Sequence, residues 1–460
     1  MHSRLSNVMT RRAVLTACAF AAPVLSADWP VWRGPGHAGV AAGSAPLEWS
    51  EGKNIAWKAN VPGRGFSSPI VVGGRVFVTT AVSLGDAKPS APPEAPPEPR
   101  GPGGPGGKGG FGKGKRGPGG GLTGGDLSEH RFVVMCLDRK SGKLLWEKTA
   151  AQARPHEGHH PRYGSFASNS PISDGKRVFA VFGSRGLYAY DLNGKELWKK
   201  DFNIKMSMFR AFGEGVAPAL HGKSLIVSYL NESGSFITVL DTATGNERWR
   251  ATPEESTSWA MPLIVEHGGR AQVVFAATGK VRSYDLADGK LIWEAAGLGR
   301  NVIPAPVHDK GIVYVMSGYV NPKLMAIKLG KEGDLTGTDS IVWTMDRGLS
   351  YTASPVLHEG KLYFITDSGM MTAVDAATGK PFYQQQRLPK PYNFKASPVL
   401  VGGRIYLASE EGDVIVIKAG EAFEVLATNT IADESFVSSP AVADGSMYLR
   451  GRNTLYCVRD

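Results

Sequence analysis

The chain has 460 residues, 52 Lys and Arg against 42 Asp and Glu, a formal charge of +10, and three cysteines. Length alone would suggest several domains. Nothing in it resembles a nucleic-acid motif, and no apolar run is long enough to cross a membrane as a helix, so the mild basic excess bears on solubility and anionic partners.

The first 27 residues read as an export signal: a basic start, a short Ala-rich apolar stretch and "LSA" before Asp28. Arg11 and Arg12 before "AVL" fit a twin-arginine signal or an ordinary basic leader, and "LTAC" at Cys18 also matches a lipoprotein cleavage box, though it lies close behind the arginines. Without Arg4, Arg11 and Arg12 the charge falls to +7.

From Pro69 onward one unit repeats. A Pro, a few apolar residues and a Gly or Asp turn precede an apolar or aromatic residue eight positions after the Pro, as in "SPIVVGGRVF" (69–77), "SPISDGKRVF" (171–179), "APVHDKGIVY" (306–314), "SPVLHEGKLY" (355–363), "SPVLVGGRIY" (398–406) and "SPAVADGSMY" (440–448). Looser copies begin at Pro218 and Pro262. A second phrase follows: "LDRKSGKLLW" ending at Trp146, then copies ending at Trp198, Trp249, Trp293 and, worn, Tyr383. In the first unit the alternation predicts strands over 69–72, 76–82, 132–137 and 144–148, joined by tight turns. Four strands per unit and eight units predict an all-β, eight-bladed propeller. The last unit ends before its fourth strand, and "EGKNIAW" (51–57) supplies it, so the N-terminal strand should close the last blade and leave no open edge. The Trp of each phrase should pack between blades.

A Pro/Gly-rich insert at 85–129 leaves the first unit between its second and third strands and cannot bury a core, so disorder is expected there. It serves as a tolerated loop or as a basic tether for an anionic surface. Cys136 and Cys457 occupy equivalent positions in the first and last blades, and facing sheets stand too far apart for a disulfide, so two buried free thiols are expected.

The phrase "AxDxxTGKxxW", from about Trp49 to Asp460, resembles the pyrroloquinoline-quinone (PQQ)-like repeat, and "DWPVWRGPGHAGV" (28–40) with "FGSRGLYAYDLNGK" resembles a group of exported bacterial propellers. The resemblance implies a propeller like those of quinoprotein alcohol dehydrogenases and of BamB. The dehydrogenases of that family carry adjacent cysteines and a calcium-binding carboxylate and amide set. This chain has no adjacent cysteine pair, and its loops do not align with that set, so neither a catalytic residue nor a metal or cofactor is assigned, PQQ included.

The second-to-third and fourth-to-first strand connections of every blade share one face. An aromatic precedes the anchor Pro in seven blades: Phe66, Phe166, Phe212, Trp259, Tyr351, Phe394 and Phe436. Arg64, Arg162, Arg210, Arg300, Lys390 and Lys395 lie in the same loops, and "ARPHEGHHPRYGSF" (153–166) brings His156, His159 and His160. The aromatics either plug blade junctions or, with the cations, form a rim for a planar or anionic ligand. The candidate ligand-binding residues are Arg64, Phe66, His156, Arg162, Arg210, Trp259, Arg300, Tyr351 and Lys395. The histidine loop lacks the helix that sets a defined zinc pair and reads as a hydrogen-bonded loop. The functional expectation is a monomeric, exported, non-enzymatic scaffold of the bacterial envelope with envelope proteins or an anionic ligand as partners. The alternative is a small-molecule or glycan-binding propeller, with PQQ or residual oxidoreductase activity. A clustered pocket at the basic mouth would favour the alternative, and an apolar or flat exposed patch would favour the scaffold.

Overall fold

In a computed structural model, residues 28–85 and 124–460 are described, and residues 1–27, where an export signal is expected, and most of the 85–129 insert fall outside them. The strands form eight sheets arranged as successive antiparallel blades. In blade 1 the strands are Ile70–Val72, Arg75–Ser83, His130–Asp138 and Leu144–Ala153, so the two flanking the insert and the outer one run longer than the sequence pattern predicts. Gly124 rejoins the described chain by pairing with His159, and Asp126 accepts hydrogen bonds from Ser83 and Ser128. The only helical segments among the described residues are three single turns.

The ring closes as expected. Ile55–Asn60 is the outer strand of the last blade and pairs antiparallel with Thr454–Arg459, with Trp57 opposite Cys457. Cys136 and Cys457 are buried free thiols, and burial pushes the Cys136 thiol up to about 12.

The repeated phrase is a blade-to-blade clasp. Its Asp folds the turn by accepting the N–H groups that follow it: Asp138 from Ser141 at 2.8 Å, Asp375 from Thr378 at 2.8 Å. The carbonyl just after that Asp then receives the indole N–H of the preceding blade: Trp57 to Arg139, Trp146 to Leu192, Trp198 to Thr242, Trp249 to Leu286 and Trp343 to Ala376, all at 2.8–3.1 Å. Each indole lies on the turn glycine (Gly142, Gly194, Gly245, Gly289, Gly379), where a Cβ would come within 2.5–2.8 Å of the ring. Trp293 is the exception, because blade 5 has Lys328 where those turns have their Asp, and a longer turn carrying Asp334 and Thr336-Gly337 leads to its outer strand. Its N–H goes instead to Gln272 Oε1 at 2.9 Å.

Residues 28–41 cross the channel. Asp28 accepts the Gly73 N–H at the first turn of blade 1, which belongs to the face opposite the long loops. Trp29 pairs with Val71, and Pro30 accepts from Ser173 of blade 2. The fully buried Arg33 donates to the Pro355 carbonyl of blade 6, and Val40–Ala41 runs parallel to Val399–Val401 on the inner edge of blade 7. The segment therefore plugs the axis at the turn face.

Candidate functional site at the propeller axis

Above this plug lies a cavity of about 420 Å³, and every connection from an outer strand to the next inner strand contributes to its wall. Trp32 of the plug is its floor and donates its indole N–H to Ser439 Oγ at 3.2 Å. Of the residues picked out in the sequence, Phe66, Arg210, Trp259, Tyr351 and Lys395 converge on this cavity.

The other four do not line it. Arg64 is spent on the backbone carbonyls of Gly164, Pro161 and Arg162, at 3.0, 2.6 and 3.3 Å, and lies over Phe66. Arg162 pairs with the buried Glu410 at 3.2 Å. His156 sits behind the wall in a small separate pocket. Its Nδ1 accepts from Arg185 at 3.0 Å, so its Nε2–H donates to the Met206 carbonyl at 2.7 Å. Arg300 is exposed, with its backbone bridged to Val320. The aromatics divide likewise: Phe212 faces the cavity, Phe394 and Phe436 are fully buried plugs, and Phe166 packs against the His130 and His159 rings. Lys390 pairs with Asp413 at 2.7 Å.

The loop between blades 2 and 3 supplies the densest chemistry, with Arg210, Phe212 and Glu214 all on the cavity wall. Arg210 and Ala211 both have left-handed backbones, φ 52° and 49°, a conformation that costs on the order of 1–3 kcal/mol per non-glycine residue and needs outside support. The support is visible: Trp259 Nε1–H holds the Gly213 carbonyl at 2.8 Å, Thr257 Oγ1 accepts the Phe209 N–H at 2.8 Å, and Glu157 accepts the Met208 N–H at 3.1 Å. Arg210 lies over the Phe209 ring and makes no ion pair among the described residues.

Lys395 is already neutralised, by Asp367 at 2.7 Å and Glu410 at 3.9 Å, and lies over the Tyr163 ring. Asp367 also accepts the Tyr351 and Thr352 N–H groups, so one carboxylate fixes both a cation and an aromatic of the wall. Tyr351 stacks on Tyr319 at 5.1 Å, and His160 stacks on Tyr163 at 4.7 Å. Among the described residues, Glu214 is the single carboxyl on the wall. Its oxygens accept the Ser184 N–H and hydroxyl at 2.5 and 2.6 Å, and burial raises its pKa against the pull of those bonds.

The serine before the anchor Pro forms a further layer that sequence reading missed. The backbone N–H at this position in one blade donates to the hydroxyl at the same position in the next: Ser354 to Ser397, Ser397 to Ser439, Ser439 to Ser68 and Ser68 to Ser170, at 2.8–2.9 Å. Ser68, Ser170, Ser397 and Ser439 all line the cavity. The signal was in the repeat, since five anchors read "SP". For Trp32 and Glu214 no periodic signal existed.

Among the described residues no group of three or more His, Cys, Asp or Glu is placed to hold a metal ion, and none of the helices there is long and apolar enough to cross a membrane.

A model of the family described as outer membrane protein assembly factor BamB matches residues 130–385 and 233–460. The tetrathionate hydrolase of Acidithiobacillus ferrooxidans is 26% identical over 271 residues, 55% of this chain and 49% of that protein, so the chain matches about half the length of this curated relative. Among solved structures, BamB from Moraxella catarrhalis is similar with a TM-score of 0.51 at 15% identity, covering 74% of this chain and 94% of that one. A europium-containing methanol dehydrogenase gives 0.61 at 12%, covering 92% and 89%. The quinohemoprotein alcohol dehydrogenase of Comamonas testosteroni gives 0.58 at 12%, covering 94% and 80%. At these identities the solved structures show a shared fold alone.

Proposed function

The chain belongs to the family described as outer membrane protein assembly factor BamB, and from that premise we propose that it is an exported binding protein of the bacterial envelope whose axial cavity takes a small ring-shaped or planar anion. The observation that carries this reading is the convergence of Arg210, with no ion pair among the described residues, on a cavity walled by Phe66, Phe212, Trp259, Tyr319 and Tyr351. Concave, mostly apolar sites with a few convergent polar groups are where small ligands bind, and a guanidinium among aromatic faces selects anionic or planar groups. Export is supported by the leader-like pattern of residues 1–27.

A scaffold would be better served by a continuous apolar surface. The exposed large apolar residues are instead dispersed: Leu144, Leu145, Leu197, Leu291 and Val342 along the outer strands of blades 1, 2, 4 and 5, Leu84 and Leu127 beside the insert of blade 1, and Tyr319 and Val320 in a loop of blade 5. The reading is one of binding rather than turnover. Lys395 is held by Asp367, and His160 Nδ1 already accepts the Arg162 and Tyr163 N–H groups, so neither offers a free lone pair to act as a base.

PQQ, a planar tricarboxylate, would meet the aromatic walls but not a matching charge. Arg210 is the one cation of the wall without a carboxylate partner among the described residues, and Glu214 stands in the same wall. This balance suits one anionic group, not three. Calorimetric titration with naphthalene-2-sulfonate, benzoate, tetrathionate and PQQ at low salt tests the reading. Binding of a monoanion that Arg210→Ala weakens supports it, and no binding of any of the four sinks it.

A further inference from the structure

Deepening that reading of the same cavity, we propose that the ring of anchor serines, with His160, is a floor rich in unused donors that takes the oxyanion head of the ligand, placing its apolar ring toward the mouth between Trp259 and Tyr351. A serine hydroxyl has one proton and two lone pairs. Ser439 Oγ accepts both the Ser397 N–H at 2.9 Å and the Trp32 indole N–H at 3.2 Å, which uses both lone pairs. Ser68, Ser170 and Ser397 each accept one backbone N–H of the neighbouring blade, so each keeps one lone pair beside its proton. None of these four hydroxyls donates to an acceptor among the described residues, and all are at least nine-tenths buried: 4%, 5%, 2% and 5% exposed for Ser68, Ser170, Ser397 and Ser439. A buried donor without an acceptor is costly, and here four of them open onto one cavity.

His160 has the same polarity. Its Nδ1 receives the N–H groups of Arg162 and Tyr163, so the ring proton sits on Nε2, and burial together with Lys395, Arg64 and Arg162 lowers its pKa and holds it neutral. With Arg210 added, donors are in excess on this wall: Ser439, His160 Nε2 and Arg210 can only donate, and the other three ring serines each hold an unused proton. The wall's one carboxyl among the described residues, Glu214, is already receiving two hydrogen bonds from Ser184. The group that satisfies such a surface is rich in acceptors and free of donors, such as a sulfonate or carboxylate. A group that brings N–H donors of its own is less well matched, because Ser439 and His160 have no lone pair left to receive them.

The test compares naphthalene-2-sulfonate with naphthalene-2-sulfonamide, which share a ring but differ in charge and in donors, by calorimetry on the full chain. The wild type is expected to prefer the sulfonate by at least about tenfold, one charge-assisted hydrogen bond's worth. Arg210→Ala should weaken both ligands yet keep a preference, while Ser68→Ala and Ser170→Ala should each erode it several-fold. Loss of all preference in Arg210→Ala would assign the anion to the guanidinium alone and overturn the floor. So would serine variants that fold and keep the full preference. The arginine arm removes no ring residue, so it decides the matter even if an alanine variant fails to fold. Failure of the wild type to bind either compound would overturn the cavity reading along with this one.

Discussion

The indole of Trp57 rests on Gly142 of the neighbouring blade and donates its Nε1–H to the Arg139 carbonyl at 3.0 Å. This one contact joins the strand Ile55–Asn60 to blade 1 while the same strand completes blade 8, so it sits at the seam where the ring closes. Trp57→Ala removes a buried aromatic and leaves a carbonyl without its donor, and should cost about 3–5 kcal/mol. Gly142→Ala should also destabilise, because its φ of 71° strains any side chain and a Cβ would meet the indole. Urea unfolding checks both. A wild-type midpoint in Trp57→Ala would show that ring closure does not depend on this clasp.

Stability should respond to pH through Glu157. Burial, with Glu214 nearby, pushes its carboxyl up to about 7 against a usual value near 4.5. The folded chain therefore binds more protons than the unfolded chain between those values, and this group's contribution is lost as pH rises from about 4.5 to 7. His37 and His159, both lowered to about 4 by burial, act oppositely: the unfolded chain holds their protons, so stability rises between about 4 and 6.5. In Glu157→Gln the opposing histidine effect is unmasked, and stability should climb more steeply over pH 4.5–7 than in the wild type. Parallel wild-type and variant profiles would show that Glu157 titrates normally.

The fold was legible because a propeller writes itself as a period. The anchor Pro, the Asp turn and the terminal Trp each recur, and even the clasp between Trp146 and the next turn follows from their spacing. The site was legible where it shares that period. Phe66, Arg210, Trp259, Tyr351 and Lys395 precede their anchors and face the axis. Arg64 and Arg162 precede theirs too, yet the carbonyls of 161–164 and the Glu410 carboxylate capture them, and sequence position does not reveal such partners. Trp32 reaches the cavity only because residues 28–41 cross the channel from blade 1 to blade 7, a placement set by contacts hundreds of residues apart.

Trp259→Phe should separate the shape of the site from its stability. Phenylalanine keeps an aromatic face on the cavity but releases the Gly213 carbonyl, one of the ties holding the left-handed pair Arg210 and Ala211. Without it the loop relaxes and Arg210 loses its aim, so monoanion affinity should drop about tenfold, roughly the worth of one hydrogen bond, with a small change in melting temperature. Unchanged affinity would mean that the loop is held without Trp259.

Glu410 is the counterweight to the site's cations. Its carboxylate is 3% exposed, faces Arg162 at 3.2 Å and Lys395 at 3.9 Å, and burial raises its pKa despite both. Glu410→Gln keeps the shape and removes the charge, leaving Arg162 unpaired and Lys395 balanced by Asp367 alone. Two effects should follow together. Stability falls, because two half-buried cations lose a partner. Anion affinity rises by on the order of 1 kcal/mol, because a repulsive charge near the cavity is gone, and the gain shrinks as salt is added. Lowering the pH should mimic the substitution in the wild type, since Glu410 protonates more readily than an ordinary carboxylate, and Glu410→Gln should remove that part of the pH dependence. A variant that binds naphthalene-2-sulfonate no better than wild type at low salt would show that the anion sits away from Lys395 and Arg162, on the opposite wall beside Arg210.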